Sequence, residues 1–275
     1  MALGIAVACW AATVAYYASY PGDALPPEWL RLIMRGVREL DAWCAIVAAI
    51  DRFAYCHFAP GLNYRCIKNT TGTLTEDDAS PLFAAVYSVC KMHGFAPQKG
   101  TYTLDTSGFF ADGQKIGLGS SAAGITALVQ TILQQHTSPS KMLTFSLSYQ
   151  AHRQFSGGGS GADCAASAYG EVIRYCHHPV IEPISIPKDH LLVVSTNIPQ
   201  STAVFVEKFL QHVQSEYIID FAEKSEIIVN TITNNQKSEV YQNAFQESAN
   251  LLDDLGRYLG IPIVSPEHKI IADSA

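Results

Sequence analysis

Apolar positions recur at helical spacing after two consecutive serines near the middle of the chain. They fit the i, i+3, i+4, i+7, i+8 pattern of one helical face and comprise Ile125, Leu128, Val129, Ile132 and Leu133. This pattern predicts a helix that begins at Ser120 and Ser121 and buries one of its faces.

A second helix is predicted from Leu82 to His93. Ser80 can cap it, Pro81 suits its first position and Gly94 can end it. The stretch Thr101–Phe110 is typical of a strand followed by a turn, and a further turn is predicted at ADGQK.

The rest of the chain mixes helix and strand patterns. Helices are predicted over Ser146–Gln154, Thr202–Tyr217 and Tyr241–Leu259, while Ala42–Phe58 indicates a buried element that runs into a strand. Strand-like stretches also occur in CAASAYGEVIRYCHH and in HLLVVSTNIPQ. Because strands and helices are intermingled, we expect an α+β protein with mixed sheets and helices packed on them.

The size and composition allow one large domain or two smaller ones. The 275 residues are 48% hydrophobic and 16% charged, which indicates a folded protein with a large core. The proline-flanked segment PISIP, Pro183–Pro187, predicts a boundary between a first domain of residues 1–182 and a mostly helical second domain of residues 183–275.

The charge pattern argues against one class of partner. The net charge is -7, and the sequence has no run of Lys or Arg. Because proteins bind the phosphates of nucleic acids mainly through clustered Lys and Arg side chains, we expect no nucleic acid partner. An acidic protein can still bind a small anion through backbone N–H groups and one or two local cations.

The seven cysteines are odd in number and include no CxxC pair. Several lie in apolar surroundings, where a thiol behaves as a small hydrophobic group. We therefore expect a cytoplasmic protein in a reducing compartment, with neither a disulfide framework nor a zinc site.

The first 22 residues, Met1–Gly22, carry no charge and approach the length of a membrane span. They lack the basic start of a signal peptide and are rich in Ala and Tyr rather than Leu. A buried strand or helix is the favoured interpretation, and a membrane-tethered protein is the alternative.

The segment KIGLGSSAAGITALVQ, Lys115–Gln130, places glycines directly before the predicted helix start. A helix start has unpaired N–H groups and a partial positive charge, and glycines let the backbone approach a ligand closely. Ser120 and Ser121 can add hydroxyls to a phosphate or a magnesium ion, and Lys115 can add a mobile charge. The segment is thus either an anion-binding loop or a serine-capped helix, and it fits neither the Walker nor the dinucleotide fingerprint.

A second glycine-rich segment is QFSGGGSGADCAASAYG, Gln154–Gly170. A flexible linker is one interpretation, but an apolar stretch follows at once. A close-approach loop with one carboxylate, Asp163, suits a substrate hydroxyl, which that carboxylate could orient or deprotonate. An N-cap role for Asp163 is the alternative.

The stretches LDTSGFFADGQKIGLGSSAAGITAL and AHRQFSGGGSGADCAASAYGEVIRY together resemble the GHMP small-molecule kinases, in the form seen in phosphomevalonate kinases. AIVAAIDR and the C-terminal GIPIVSPEHKIIADSA fit more loosely, so the resemblance covers about residues 36 to 275. It implies a two-domain GHMP kinase-like fold that uses ATP and Mg²⁺. It also implies a small-molecule acceptor of the mevalonate pathway of isoprenoid biosynthesis, phosphomevalonate first and mevalonate second.

The resemblance also implies a role for each matching residue. The ATP phosphates would lie in the loop of Gly117, Leu118, Gly119, Ser120, Ser121 and Ala122, with Ser121 on magnesium. Lys115 would lie beside the phosphates, and Asp163 would be the base or orienting carboxylate. The acceptor site would be bordered by Ser107, Ser160 and Gly161, with His152 as a further candidate that could equally be structural.

Two family motifs are altered. Asp23 follows Pro21-Gly22 where the family's first motif has lysine, and Arg35-Gly36-Val37 stands where its G-E-Y block is expected. The third, glycine-rich motif would follow IADSA, so a truncated C-terminal domain is expected. The chain is therefore either part of an active kinase or an inactive, degenerate relative that binds a ligand or a partner. The sequence identifies neither the acceptor nor the oligomeric state, for which a homodimer is one possibility.

Overall fold

The computed structural model describes residues 44–69, 74–76, 80–157, 160–176, 180–185, 208–209, 211–212, 215–235 and 237–266. They form two compact units. The central unit is the continuous segment Ala49–Gly170, and the flanking unit comprises the described residues up to Ala48 and from Glu171 onward.

The strands, in chain order, are β1 (Cys44–Ala48), β2 (Tyr55–Pro60), β3 (Arg65–Asn69), β4 (Leu74–Glu76), β5 (Gly100–Asp105), β6 (Phe110–Ala111), β7 (Gln114–Lys115), β8 (Val172–Cys176) and β9 (Val180–Pro183). The helices are α1 (Pro81–Met92), α2 (Ser120–Gln134), α3 (Lys141–Ser156), α4 (Ala162–Tyr169), α5 (Glu216–Asn234) and α6 (Ser238–Leu259). This mixture confirms the predicted α+β class.

The central unit is a four-stranded mixed sheet with helices packed on it. The strand order is β2-β5-β3-β4, in which β5 runs antiparallel to β2 and parallel to β3. The predicted apolar face of α2 is confirmed, because five of its side chains have no exposed surface: Ile125, Leu128, Val129, Ile132 and Leu133. They join residues of α1, α3 and β5 in one core, which fixes the start of α2 relative to the sheet.

The predicted ends of α1 are confirmed. The Ser80 hydroxyl accepts a hydrogen bond from the Phe83 N–H at 3.4 Å, and Pro81 is the first helical residue. Gly94 follows the helix with φ +86°, a backbone conformation that favours glycine.

One prediction about the following elements was wrong in part. Helix α3 begins at Lys141 rather than at Ser146, because Ser140 caps it by accepting from the Leu143 N–H at 3.1 Å. The strand-like stretch predicted within CAASAYGEVIRYCHH is confirmed as β8, and helix α4 precedes it. Small buried residues allow α4 to pack closely on α2 and α3.

The flanking unit has an antiparallel sheet of order β1-β8-β9, with α5 and α6 sharing a core with it. The predicted helix over Tyr241–Leu259 is confirmed within α6. The apolar segment Ala42–Phe58 is not one element but contributes two strands, β1 and β2, that belong to different units. Asp51 and Arg52, which interrupt the apolar run, lie exposed between them.

A disulfide bond joins Cys44 of β1 to Cys176 of β8, so the expectation of no disulfide was wrong. The two residues are direct partners in the antiparallel register, with their Cα atoms 4.1 Å apart. They lie 132 positions apart in sequence, which hides their pairing from a count of cysteines and spacings. The cytoplasmic location stays a prediction.

Several predictions lie outside the described residues: those for Met1–Gly22, for HLLVVSTNIPQ, and for most of Thr202–Tyr217. The predicted domain boundary after residue 182 falls within β9, and the division into residues 1–182 and 183–275 stays a prediction. Within the described parts of the chain, no helix is long and apolar enough to cross a membrane.

Candidate functional site

The loop before α2 is anchored at a short hairpin. Strands β6 and β7 pair through a turn at Asp112 (φ 49°) and Gly113 (φ 77°), the left-handed conformations that an Asp-Gly turn needs. The Ile116 N–H donates to the Phe109 carbonyl at 3.1 Å directly after the hairpin. Lys115, at the end of β7, is exposed, so its charge is available to a ligand.

The start of α2 is built from glycine and not from a serine cap. Gly119 is the N-cap residue, with φ 75° and ψ 30°, and Gly117 has φ 76°. The capping position therefore offers no side chain to the first N–H groups of α2, and Ser120 is already helical. The serine-cap interpretation of this segment was wrong. The N–H groups and the positive end of the helix remain for a ligand.

The loop presents this helix start at the surface of the protein. Gly117 is exposed, while Leu118, Gly119, Ser120 and Ser121 are half-buried. Ala122 is 1% exposed and its carbonyl accepts from Thr126 Oγ1 at 2.8 Å, which fixes the first turn from below.

Helix α4 also starts at a glycine with a positive φ. Gly161 is its N-cap residue with φ 83°, and the Ser160 hydroxyl accepts from the Ala162 N–H at 3.2 Å. Asp163 lies one residue further into the helix, so the N-cap interpretation of Asp163 was wrong. A carboxylate in the first turn is favoured there by the helix dipole. Gly158 and Gly159 of the same loop lie outside the described residues.

The two helix starts meet at Asp163. A Cβ atom placed on Gly119 would lie 3.3 Å from both Cγ and Oδ2 of Asp163. The carboxylate therefore lies directly on the backbone that caps α2, at the place where an anion would approach the helix. Glycine is required at position 119 for this approach as well as for its φ.

The environment of Asp163 changes its acidity. Asp163 has exposed surface, yet many protein atoms surround its carboxyl group. Desolvation raises the pKa of Asp163 above its usual range, and the nearby His152 acts in the opposite direction. The carboxyl group can therefore change its proton closer to neutral pH than an ordinary aspartate.

His152 lies on α3, which packs against α4. Its Nδ1 atom is buried and has no hydrogen-bond partner among the described residues. Desolvation lowers the pKa of His152, and the charge of Asp163 partly opposes this. The structure thus brings Gly119 and Asp163 into contact, and His152 lies near enough for its charge to influence Asp163.

A second polar cluster surrounds the predicted acceptor residue Ser107. The Asp105 carboxylate accepts from the Ser107 N–H at 2.9 Å, from the Ser107 hydroxyl at 2.7 Å and from Asn69 Nδ2 at 2.9 Å. Desolvation raises the pKa of Asp105, but the bonds from Ser107 and Asn69 outweigh it and lower the pKa overall. Asp105 is thus a carboxylate at neutral pH, and it uses up both donors of Ser107.

The sequence analysis missed Asp105 and Asn69. They are direct partners in the parallel register of β3 and β5, 36 positions apart. Asn69 ends one strand and Asp105 ends its neighbour. Asp105 ends a predicted strand, but β3 was not predicted, so no signal in the sequence indicated that Asn69 would meet it.

The side-chain oxygens near the start of α2 are of the kind that magnesium binds. Its preferred ligands are oxygens, usually one or two from the protein and the rest from phosphates and water. Ser121 and the nearby Asp163 carboxylate could supply such oxygens. Within the described residues, no group of three or more His, Cys, Asp or Glu side chains could hold a metal ion without those phosphates.

Comparison with protein families gives a match to the N-terminal domain of GHMP kinases over residues 102–171. The matched segment includes β5, the start of α2 and the Asp163 loop. No curated protein matches the chain significantly.

Solved structures share its fold. A Lin0012 protein from Listeria innocua is 20% identical with a TM-score of 0.73, and the match covers 84% of this chain and 78% of the Listeria chain. The Streptococcus pneumoniae phosphomevalonate kinase in complex with phosphomevalonate and AMPPNP is 16% identical with a TM-score of 0.63, and the match covers 90% of this chain and 77% of that kinase. The L. major mevalonate kinase in complex with R-mevalonate is 19% identical with a TM-score of 0.56, and the match covers 80% of this chain and 70% of that kinase. The resemblance to the GHMP kinases, and their fold, are thereby confirmed.

Proposed function

We propose that this chain, which carries a GHMP kinase N-terminal domain segment and has the GHMP kinase fold, is an ATP-dependent kinase of a small acid. The acceptor would carry a hydroxyl or a phosphate, phosphomevalonate first and mevalonate second. The observation that carries the proposal is the contact of the Asp163 carboxylate with Gly119 at the start of α2.

In the proposed reaction the start of α2 binds ATP, and Asp163 at the start of α4 acts on the acceptor. The N–H groups of α2 and the Gly117–Ala122 loop hold the ATP phosphates, and Lys115 adds a positive charge beside them. Asp163 accepts the proton of a hydroxyl acceptor or orients the oxygen of a phosphate acceptor. In both cases the acceptor oxygen forms a bond to the γ-phosphorus while the bond from that phosphorus to the β–γ bridging oxygen breaks. ADP leaves, and the acceptor carries the new phosphate.

Magnesium, when bound with ATP, supplies charge neutralisation at the transferring phosphate, and Ser121 is the residue proposed to hold it. The acceptor is proposed to lie between Asp163 and the residues Ser107, His152, Ser160 and Gly161. Both donors of Ser107 are bonded to Asp105, so Ser107 would serve as a hydrogen-bond acceptor for a substrate hydroxyl.

The test is ATP turnover by the purified chain with phosphomevalonate, mevalonate and other small hydroxy acids. We expect turnover that depends on magnesium and falls by about 10²-fold or more in Asp163→Ala. Equal rates for the wild type and Asp163→Ala would reject catalysis at this site.

A second candidate function is ligand binding without turnover. It is favoured by Asp23, which stands where the family's first motif has lysine. Calorimetry with Mg-ATP separates the two candidates. Binding with no product formation supports the second, and binding followed by ADP release supports the first.

A further inference from the structure

The glycine loop before α2, residues 116–119, is connected at both of its ends to the end of strand β5. Its first end follows the β6–β7 hairpin, where the Ile116 N–H donates to the Phe109 carbonyl at 3.1 Å. The Phe109 N–H in turn donates to the carbonyl of Thr106, directly after β5, at 3.0 Å. Two backbone hydrogen bonds therefore link the hairpin end of the loop to the end of β5.

The second end of the loop reaches the same strand through Gly124 of α2. A Cβ atom placed on Gly124 would lie 3.2 Å from Thr106 Cγ2 and 3.4 Å from Leu104 Cδ2. The backbone of α2 thus packs directly on side chains at the end of β5, about one turn after the helix begins. This contact sets the place at which α2 starts, and with it the helix end of the loop.

Asp105 lies between Leu104 and Thr106, and its carboxylate ties the turn after β5 to the neighbouring strand. Its Oδ1 atom accepts from the N–H and the hydroxyl of Ser107 at 2.9 and 2.7 Å, and its Oδ2 atom accepts from Asn69 Nδ2 at 2.9 Å. Ser107 begins the short turn that ends at Phe109. The carboxylate therefore collects three donors at the point where the chain leaves the sheet.

We propose that Asp105 is a positioning residue for the glycine loop, which it holds in place through Ser107 and the turn that leads to the hairpin. A turn released from Asp105 would shift Phe109, and the Phe109 carbonyl holds Ile116. The inference rests on the proposed function for its effect on ATP, but the anchoring itself is a property of the chain.

The spare oxygen of Asn69 provides a conservative variant. Asn69 Oδ1 is buried and has no hydrogen-bond partner among the described residues. In Asp105→Asn the new carbonyl can still accept from Ser107, and a flipped Asn69 amide can accept from the new NH₂ group through Oδ1. Asp105→Asn therefore keeps the hydrogen bonds and loses the negative charge, whereas Asp105→Ala loses both.

Hydrogen exchange of the Ile116 amide, followed by NMR, tests the anchoring without any activity. We expect exchange about 10-fold or more faster in Asp105→Ala than in the wild type, and close to the wild-type rate in Asp105→Asn. The control amide is that of Gly61, which donates to the Lys99 carbonyl at 3.1 Å beside the opposite end of β5. Equal acceleration at Ile116 and Gly61, or none at Ile116, would overturn the inference.

Asn69→Ala keeps the test decisive if Asp105→Ala does not fold. It removes one of the three donors from the Asp105 carboxylate and leaves both bonds from Ser107. Exchange at Ile116 should again be faster than in the wild type, by a smaller factor than in Asp105→Ala, while Gly61 changes less. An Ile116 rate equal to that of the wild type would contradict the anchoring.

The consequence for ATP is measured as KM and kcat. Asp105→Ala should raise KM for ATP about 10-fold and lower kcat at saturating ATP much less, because the loop that holds the phosphates is displaced. Asp105→Asn should restore KM, and an equal rise in both variants would show that the charge rather than the position matters. Asp112→Asn is the matched control: it makes the same exchange at an exposed site of the hairpin, where φ is 49°, and its KM should equal that of the wild type.

The two proposals fail separately. If the wild type turns over but Asp105→Ala changes neither KM for ATP nor exchange at Ile116, the positioning role is wrong and the kinase proposal stands. If exchange at Ile116 rises but KM for ATP does not, Asp105 anchors the turn without positioning the loop for ATP, and the proposed role is wrong. If the wild type shows no turnover while Asp105→Ala still accelerates exchange at Ile116 beyond that at Gly61, the kinase proposal fails and the anchoring stands.

Discussion

The Asp163 carboxylate lies against the backbone of Gly119, 3.3 Å from where a Cβ atom at that position would be. One residue ends a glycine loop and the other begins a helix more than forty positions later, and the fold places them in contact.

Gly119→Ala should damage both stability and activity. The alanine must adopt φ 75°, which costs about 1–2 kcal/mol, and its methyl group meets the Asp163 carboxylate. We expect a loss of kcat of about 10-fold or more, because the carboxylate is displaced. Gly113→Ala is the control, since Gly113 has φ 77° but open space at its Cβ. Equal losses of activity in both variants would show that strain alone, and not the contact, matters.

Asp163→Asn should stabilise the protein at neutral pH. The pKa of Asp163 is raised in the folded state by desolvation, so the folded state binds the proton more tightly than the unfolded state. The free energy of unfolding therefore falls as pH rises from about 3.9 through the raised pKa, and Asn removes this loss. Urea unfolding of the wild type and Asp163→Asn at pH 7 and near pH 4 measures this difference in the free energy of unfolding. A stabilisation that is the same at both pH values would contradict the prediction.

Asp105→Ala should destabilise the central unit by about 1–3 kcal/mol, because Ser107 and Asn69 lose their shared acceptor. The pKa of Asp105 is lowered in the folded state, so its contribution is present above about pH 3.9 and disappears as pH falls through the lower folded value. Urea unfolding at neutral and acidic pH measures both effects. Asp51→Ala is the control: Asp51 is 92% exposed and pairs with Arg52 at the surface, so its loss should change stability little.

Reduction of the Cys44–Cys176 disulfide should lower the free energy of unfolding by about 2–5 kcal/mol, since the bond closes a long loop. Peptide mapping without a reductant should recover the two cysteines in one linked peptide. The double variant Cys44→Ala/Cys176→Ala serves as the control and should not respond to dithiothreitol. Alkylation of both cysteines in the untreated protein would show that the bond does not form.

The sequence was sufficient for features that depend on local chemistry. The buried face of α2, the Ser80 cap of α1 and the glycines before α2 and α4 are all encoded within a few residues of where they act. The family resemblance then identified the two glycine loops as parts of one site.

Features that depend on register could not be predicted. Asn69 meets Asp105 only because β3 and β5 are parallel neighbours, and Cys44 meets Cys176 only because β1 and β8 are antiparallel partners. The start of α3 at Lys141 was missed for a different reason. Its signals were local, a Ser140 cap directly after Pro139 and the apolar Met142 and Leu143 in the first turn, but the prediction began only at Ser146.

The disulfide has a mechanical consequence for the unit that carries the site. The whole central unit, Ala49–Gly170, lies within the chain segment that the Cys44–Cys176 bond closes. A pulling force applied to the two ends of the chain passes through that bond and does not load the enclosed residues. The flanking unit would extend under tension while the glycine loops and Asp163 kept their fold, until the disulfide was reduced.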